Sequence, residues 1–226
     1  MQGLNLIQLL AIMMLPLIFA ITVHEAAHGW MAKRLGDNTA YMLGRVTLNP
    51  IKHIDPVGTI LVPLGAVMLT GFIFGWAKPV PVNWSNLHQP KRDMGLVALA
   101  GPGANLFMAL IWAILVYVSA MILGTFTWLA LPLLYMGIFG VLINTVLMVL
   151  NLMPIPPLDG GRVVYSLLPP KQAHAYSMLE RYGLIIVILL LVTGILGFVL
   201  KPLICLTIKL LPASNIVLEM MPFTCG

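Results

Sequence analysis

Charge is the first thing this sequence lacks: Lys, Arg, Asp and Glu supply 8% of its 226 residues, where a soluble domain carries about 25%. Apolar residues make up 60%, so there is too little polar surface to coat a soluble globule. Intrinsic disorder is excluded with it, because disordered chains are poor in apolar residues and rich in charge. Cysteine is also scarce. Cys205 and Cys225 form no CxxC pair and are too few for a disulfide framework, so they receive no role. Internal repeats, low-complexity tracts and long linkers are missing, and the connections are short and rich in Pro, Gly and Asn.

What the chain does have is long apolar runs. They extend over Leu4–Met31, Val57–Phe74, Gly95–Leu123, Thr127–Asn151 and Leu184–Leu200, near or above the ~18 residues that suggest a spanning helix. The expectation is an all-α polytopic membrane protein, one membrane-embedded domain over 1–226. It would have about four to five transmembrane helices, a re-entrant hairpin and a short extended segment. The first run follows Met1-Gln2-Gly3, which has no basic residue, and no small-x-small cleavage site follows its apolar core. It reads as a retained helix.

The formal charge of +5 could suggest nucleic acid, but the basic residues sit between apolar runs, as in membrane loops. Nucleic acid is therefore not an expected partner; the lipid bilayer is. Ten of the twelve fall in three connections: Lys33, Arg34, Arg45 and Lys52; Lys78, Lys91 and Arg92; Arg162, Lys171 and Arg181. The positive-inside tendency puts all three in the cytoplasm and the uncharged turn Gly124-Thr125-Phe126 outside. Residues 57–74, interrupted by Pro63, Gly65 and Gly71, must then enter and leave on one face. The alternative is five full crossings.

Near the C-terminal end of the first run stands His24-Glu25-Ala26-Ala27-His28, an HExxH pattern. Residues four apart share a helix face, so both imidazoles can reach one zinc ion while Glu25 addresses its water. With three Glu and five His in the chain, chance would produce the pattern in about 0.1% of such sequences. Counting back from Lys33 at ~1.5 Å per residue puts the histidines roughly 7 to 13 Å inside the bilayer. Ionisable groups at that depth are costly and usually functional.

A catalytic zinc takes a third protein ligand and leaves a position open for water. Asp159, in Asn151-Leu-Met-Pro-Ile-Pro-Pro-Leu-Asp-Gly-Gly-Arg162, is the candidate. Three prolines cannot continue a helix, and Gly160 and Gly161 permit tight turns. The chain must unwind there and can aim a carboxylate inward. The other role open to Asp159 is that of a helix N-cap. A cation or proton transporter would also place His, Asp and Glu inside helices, but it needs no HExxH spacing and would show a repeated pair of broken helices, which this sequence lacks.

HEAAH in a membrane helix, then Gly101-Pro-Gly-Ala-Asn105, then NLMPIPPLDGGR, resembles the site-2 protease family of intramembrane zinc metalloproteases. The resemblance implies that His24, His28 and Asp159 are ligands to one zinc and that Glu25 is general base and acid. It places Asn151 near the developing oxyanion and matches Gly101 and Asn105 to the family's GxxxN element. It implies hydrolysis of peptide bonds within or near transmembrane segments of a membrane-protein substrate, in a prokaryotic plasma membrane, with the site open to the cytoplasm. The family often carries a helix before the HExxH helix and a PDZ or CBS domain; neither is present here.

The chemistry follows from the residue types as well. A zinc site acidifies water to a pKa of about 7, and a carboxylate such as Glu25 can take its proton and later protonate the leaving amine. Asn105 and Asn151 could line a water path or tie helices together. In Gly75–Trp84, Pro79 and Pro81 close one edge of an extended segment, and Lys78, Val80 and Val82 leave the other edge open to pair with substrate. The alternative for this segment is an interfacial loop anchored by Trp76 and Trp84. His53 and Asp55 read as turn or cap residues, His88 and His174 as solvated, and the fifteen Met as gap-filling packing.

Overall fold

The structure is a computed structural model that describes residues 6–61, 78–220 and 225. Among these residues there are helices and no strand. In chain order they are α1 Leu6–Arg34, α2 Thr39–Met42, α3 Pro90–Ile122, α4 Thr127–Asn151, α5 Asp159–Leu167, α6 Pro170–Ser177, α7 Glu180–Val192, α8 Ile195–Lys209 and α9 Ser214–Met220. Short 3-10 turns at Pro50–His53 and Trp84–Asn86 and a π-helical turn at Pro56–Leu61 lie between α2 and α3.

Three helices, α1 over Leu10–Arg34, α3 and α4, are long and apolar enough to cross a membrane. The pair α6 and α7, bent by 60°, makes a fourth if taken together. The last apolar run does not form the single helix that its composition suggests. It breaks at Thr193 and Gly194, where Gly194 takes a left-handed φ of 76° that glycine adopts without steric cost. The expected re-entrant hairpin falls largely on residues 62–77, outside the described residues. Of the described residues between α1 and α3, His88 N–H donates to the Leu35 carbonyl at 2.9 Å, and Leu87 joins Ala32 and Val97 in a buried cluster against which Val82 and Trp84 pack. Cys205 and Cys225, which sequence left without a role, are joined in a disulfide.

Helices in lipid gain little from burying apolar surface against each other, so they associate where small residues let backbones approach. The α3–α4 pair follows this rule. A Cβ at Gly140 would run into the Trp112 indole, and one at Gly137 would lie 2.8 Å from Val116 Cγ2. Trp112, Val116, Leu134, Ile138 and Val141 form the centre of the main core, while α1 lies against both helices. Pro16, Pro102 and Pro132 sit inside these spans, which packed membrane helices tolerate.

Beyond α1 the chain is pinned by Asp37, which is fully buried. Its carboxylate accepts from Thr39 N–H and Oγ1 and from Asn86 Nδ2 through Oδ1, and from Asn83 N–H at 2.7 Å through Oδ2. Burial disfavours its charge, but the bonds from Thr39, Asn86 and Asn83 outweigh this and hold the carboxyl below its ordinary pKa of 3.8. A group depressed in this way stabilises the fold fully above the unfolded pKa, and the contribution is lost as pH falls through the folded value. Thermal unfolding of the detergent-solubilised protein should therefore show Tm falling as pH drops below about 4. Asp37→Asn should lower Tm at pH 7 and flatten the acid decline; an unchanged acid decline in that variant would assign it to other carboxylates.

Candidate metal centre

The site is built where α1, α3 and the N-terminus of α5 meet. His24 and His28 are one turn apart on α1 and buried, with their rings nearly perpendicular and their centroids 4.6 Å apart. Their Nε2 atoms are 3.0 Å from each other, and each is 3.3 Å from Asp159 Oδ2. Asp159 is the first residue of α5, eight residues after α4 ends at Asn151. The intervening chain is irregular and has a cis bond between Pro156 and Pro157.

The second nitrogen of each ring is already committed. His24 Nδ1–H donates to Asn105 Oδ1 at 2.6 Å, and His28 Nδ1–H donates to the Val97 carbonyl at 2.7 Å. The Asn105 amide cannot turn over, because its Nδ2 donates to the Ala20 carbonyl and to Asn144 Oδ1. Asn144, also buried, donates to the carbonyl of Gly140 in its own helix. Pro102, inside α3, has no N–H for the Ala98 carbonyl, next to the Val97 carbonyl that accepts from His28.

These bonds decide what the site can hold. With a proton on each Nδ1, both Nε2 atoms present lone pairs, and Asp159 Oδ2 faces them buried and without a donor. Three acceptors at 3.0 to 3.3 Å repel unless a cation lies among them. A tetrahedral zinc with bonds of about 2.0–2.1 Å spaces its ligands about 3.3 Å apart. Two imidazoles, one carboxylate and an open fourth position are the donor set of a catalytic zinc. The residues present fit the group, and among the described residues this is the cluster that could hold a metal ion.

Gly101 explains the small residue of the GxxxN element. A Cβ there would lie 2.6 Å from His24 Cε1 and closer still to His28 Nε2, inside the ligand cluster. Gly160 and Gly161 serve in a way the sequence did not suggest. Neither has positive φ; both lie in the first turn of α5, where a Cβ would strike the backbone of Leu152, Met153 or Pro156. Their smallness lets the proline loop press against α5, and Gly183 of α7 touches the same loop at Pro156.

Other sequence-derived candidates are placed differently. Glu25 is half-buried beside the ligands, and its Oε2 accepts the Val80 N–H at 2.8 Å. Lys78 N–H donates to the His53 carbonyl at 2.9 Å, so two of the three donors expected on an open edge are engaged within the chain. Asn151 donates to the Leu147 carbonyl one turn back. Asp55 caps the π-helical turn through Val57 and Gly58 N–H. His53 is buried and bonded to the Thr47 carbonyl, whereas His88 and His174 are exposed. Sequence reasoning missed Asn144, which has no motif and acts only through Asn105. It also missed Arg45, whose partners Lys78 and Pro79 are far along the chain, and Asp37, which besides its neighbour Thr39 holds the distant Asn83 and Asn86.

Gly101→Ala should lose at least ten-fold in zinc affinity, because the added methyl occupies the ligand cluster. Asn105→Ala, which leaves His24 Nδ1 without an acceptor, should cost 10- to 100-fold. Metal titration of the purified variants checks both. Wild-type affinity in Gly101→Ala would show that the metal does not sit among these residues.

Comparison with known proteins agrees with this geometry. The model of "Peptidase family M50" matches residues 12–132 and 127–192. A Bacillus subtilis protein named "Putative zinc metalloprotease YwhC" is 39% identical over 197 residues, covering 87% of each chain. The Mycolicibacterium smegmatis protein Rip2, named in the same way, is 31% identical over 185 residues, covering 80% of this chain and 66% of that protein. Rip2 of Mycobacterium tuberculosis H37Rv is 25% identical over 173 residues, covering 76% of this chain and 63% of its own length. No solved structure matches the chain. The chain is a membrane protein with a His-His-Asp group that could hold a metal ion, and it belongs to peptidase family M50, the site-2 protease family of zinc metalloproteases.

Proposed function

We propose that this protein is an intramembrane endopeptidase that hydrolyses peptide bonds within or near transmembrane segments of a membrane-protein substrate, as in regulated intramembrane proteolysis. The observation that carries this reading is the meeting of His24, His28 and Asp159 beside Glu25, between helices apolar enough to cross a membrane. His24 and His28 through Nε2 and Asp159 through Oδ2 would hold zinc. When bound, zinc supplies Lewis-acid polarisation of the scissile carbonyl and acidifies water at the site.

The chain's own residues do the rest. Glu25 takes a proton from the attacking water as the new C–O bond forms, and returns it to the amine nitrogen as the C–N bond breaks. Asn151, at the end of α4, would donate toward the developing oxyanion with the Nδ2 hydrogen that the Leu147 carbonyl does not take. Recognition of extended substrate by residues 78–82 falls to Val82 and to side chains of the segment, because the Lys78 and Val80 donors are engaged. The site opens toward the cytoplasm of a prokaryotic plasma membrane, in accord with the three basic connections.

Purified protein should hold about one zinc per chain. His24→Ala should lose most of it. Glu25→Gln should keep it and lose about 10²- to 10⁴-fold in cleavage of a co-expressed single-span protein. Full zinc occupancy in the His24→Ala, His28→Ala double variant would place the metal elsewhere. Orientation is tested separately: single cysteines introduced beside Arg45, Arg92 and Lys171 should be labelled from the cytoplasmic side and one beside Thr125 from outside. Outside labelling beside Arg92 would overturn the orientation.

A further inference from the structure

Residues 78–83 have no regular secondary structure, yet they are tied down along their length. Lys78 N–H is bonded to His53, and buried Arg45 passes Nη2 to the carbonyls of Lys78 and Pro79 at 2.9 and 3.4 Å. At the other end Asp37 takes Asn83 N–H at 2.7 Å and Asn86 Nδ2 at 3.0 Å. The Val80 side chain, 8% exposed, rests on α1 at Gly29. A Cβ at Gly29 would lie 3.1 Å from Val80 Cγ1 and 2.9 Å from Val46 Cγ2. The segment thus crosses α1 beside His28.

Between Pro79 and Pro81, which have no N–H, the chain offers one donor, that of Val80, and it goes to Glu25 Oε2. A bond to an ionised acceptor is short and strong. It fixes one carboxylate oxygen and leaves Oε1 for the reacting water. A glutamate otherwise samples several rotamers, and a general base must lie within hydrogen-bond reach of its proton. Misplacement by about 1 Å can cost 10²-fold in rate.

We propose that residues 78–83 are a fixed strap whose Val80 N–H aims Glu25, and that Asp37 and Arg45 are positioning residues that hold the strap. The proposal rests on the reading of Glu25 as the general base of a zinc peptidase. It assigns to Val80 a role toward the enzyme's own carboxylate, distinct from pairing with substrate.

The first arm of the test needs no activity. Cys205 and Cys225 are joined, so Val80→Cys supplies the sole free thiol and keeps the main-chain donor. Its maleimide labelling in the detergent-purified full chain should be slow, and at least ten-fold faster when Asp37→Asn, Arg45→Gln or Glu25→Leu is added. Unchanged rates in all three overturn the strap. The second arm measures kcat and KM on fluorescently labelled casein. Asp37→Asn and Arg45→Gln should lower kcat at least ten-fold, with KM within two-fold and zinc content intact, and Arg45→Lys should recover part of the loss. Val80→Pro should behave like them, while Val80→Ala should cost less than a third of that loss. A fall confined to KM, or a rise in kcat, would make the segment a substrate site or a latch and overturn the aiming role. A parent protein that holds no zinc and cleaves nothing would fail the peptidase reading, and the thiol rates would still decide the strap.

Discussion

Three buried lone pairs that face one another without a donor are the constraint on which the rest of the structure depends. In water His24, His28 and Asp159 would be solvated separately. Among membrane helices the nearest acceptors are 3.0 to 3.3 Å apart, and a cation held at their centre would offset the desolvation of Asp159. Such a cluster forms only if the surrounding fold has already chosen which atom of each ligand faces inward. The Asn105 and Val97 acceptors make that choice for the two rings. For Asp159 it is made by its place at the first turn of α5, where the helix N-terminus favours negative charge.

The close packing of the bundle follows from the same need. Gly101 brings α3 against the imidazoles, and Gly160, Gly161 and Gly183 let α5 and α7 close on the proline loop that delivers Asp159. Each is a place where a methyl group would meet backbone or a ligand ring. The Asn105–Asn144 bond ties α3 to α4 at the level of the site. A polar network inside lipid is worth keeping only when its members are paired, and the Nδ2 donors of both asparagines are.

How much of this was legible in the sequence depends on the range of the interaction. HExxH is a local pattern on one helix face, and the LDG stretch announces a broken helix through its prolines, so both could be read directly. Their meeting could be argued from the parity of crossings. Asn144, Asp37 and Arg45 lie in no motif, and the contacts that tie each of them to the site or to the 78–83 segment reach residues 33 to 49 positions away, although Asp37 and Asn144 also bond locally to Thr39 and Gly140. The break at Gly194 was hidden because hydropathy is the same on both sides of it. Gly160 and Gly161 were noticed for the wrong physical property, conformational freedom where close approach was the requirement. The pairing of Cys205 with Cys225 is a property of tertiary placement that a count of two cysteines does not carry.

The two halves of the chemistry are held by different kinds of structure. His24, His28 and Asp159, the group that could hold a metal ion, hang on helices, and the two rings are oriented by bonds made inside the bundle. Glu25 lies on the same helix turn, but its carboxylate is bonded to the 78–83 segment, which is fastened in turn by Asp37 and Arg45 outside α1. The cluster and the carboxylate beside it are therefore oriented by separate sets of hydrogen bonds. Asn105 and Val97 hold the two rings from inside the bundle, while the Glu25 carboxylate is held from the segment outside it.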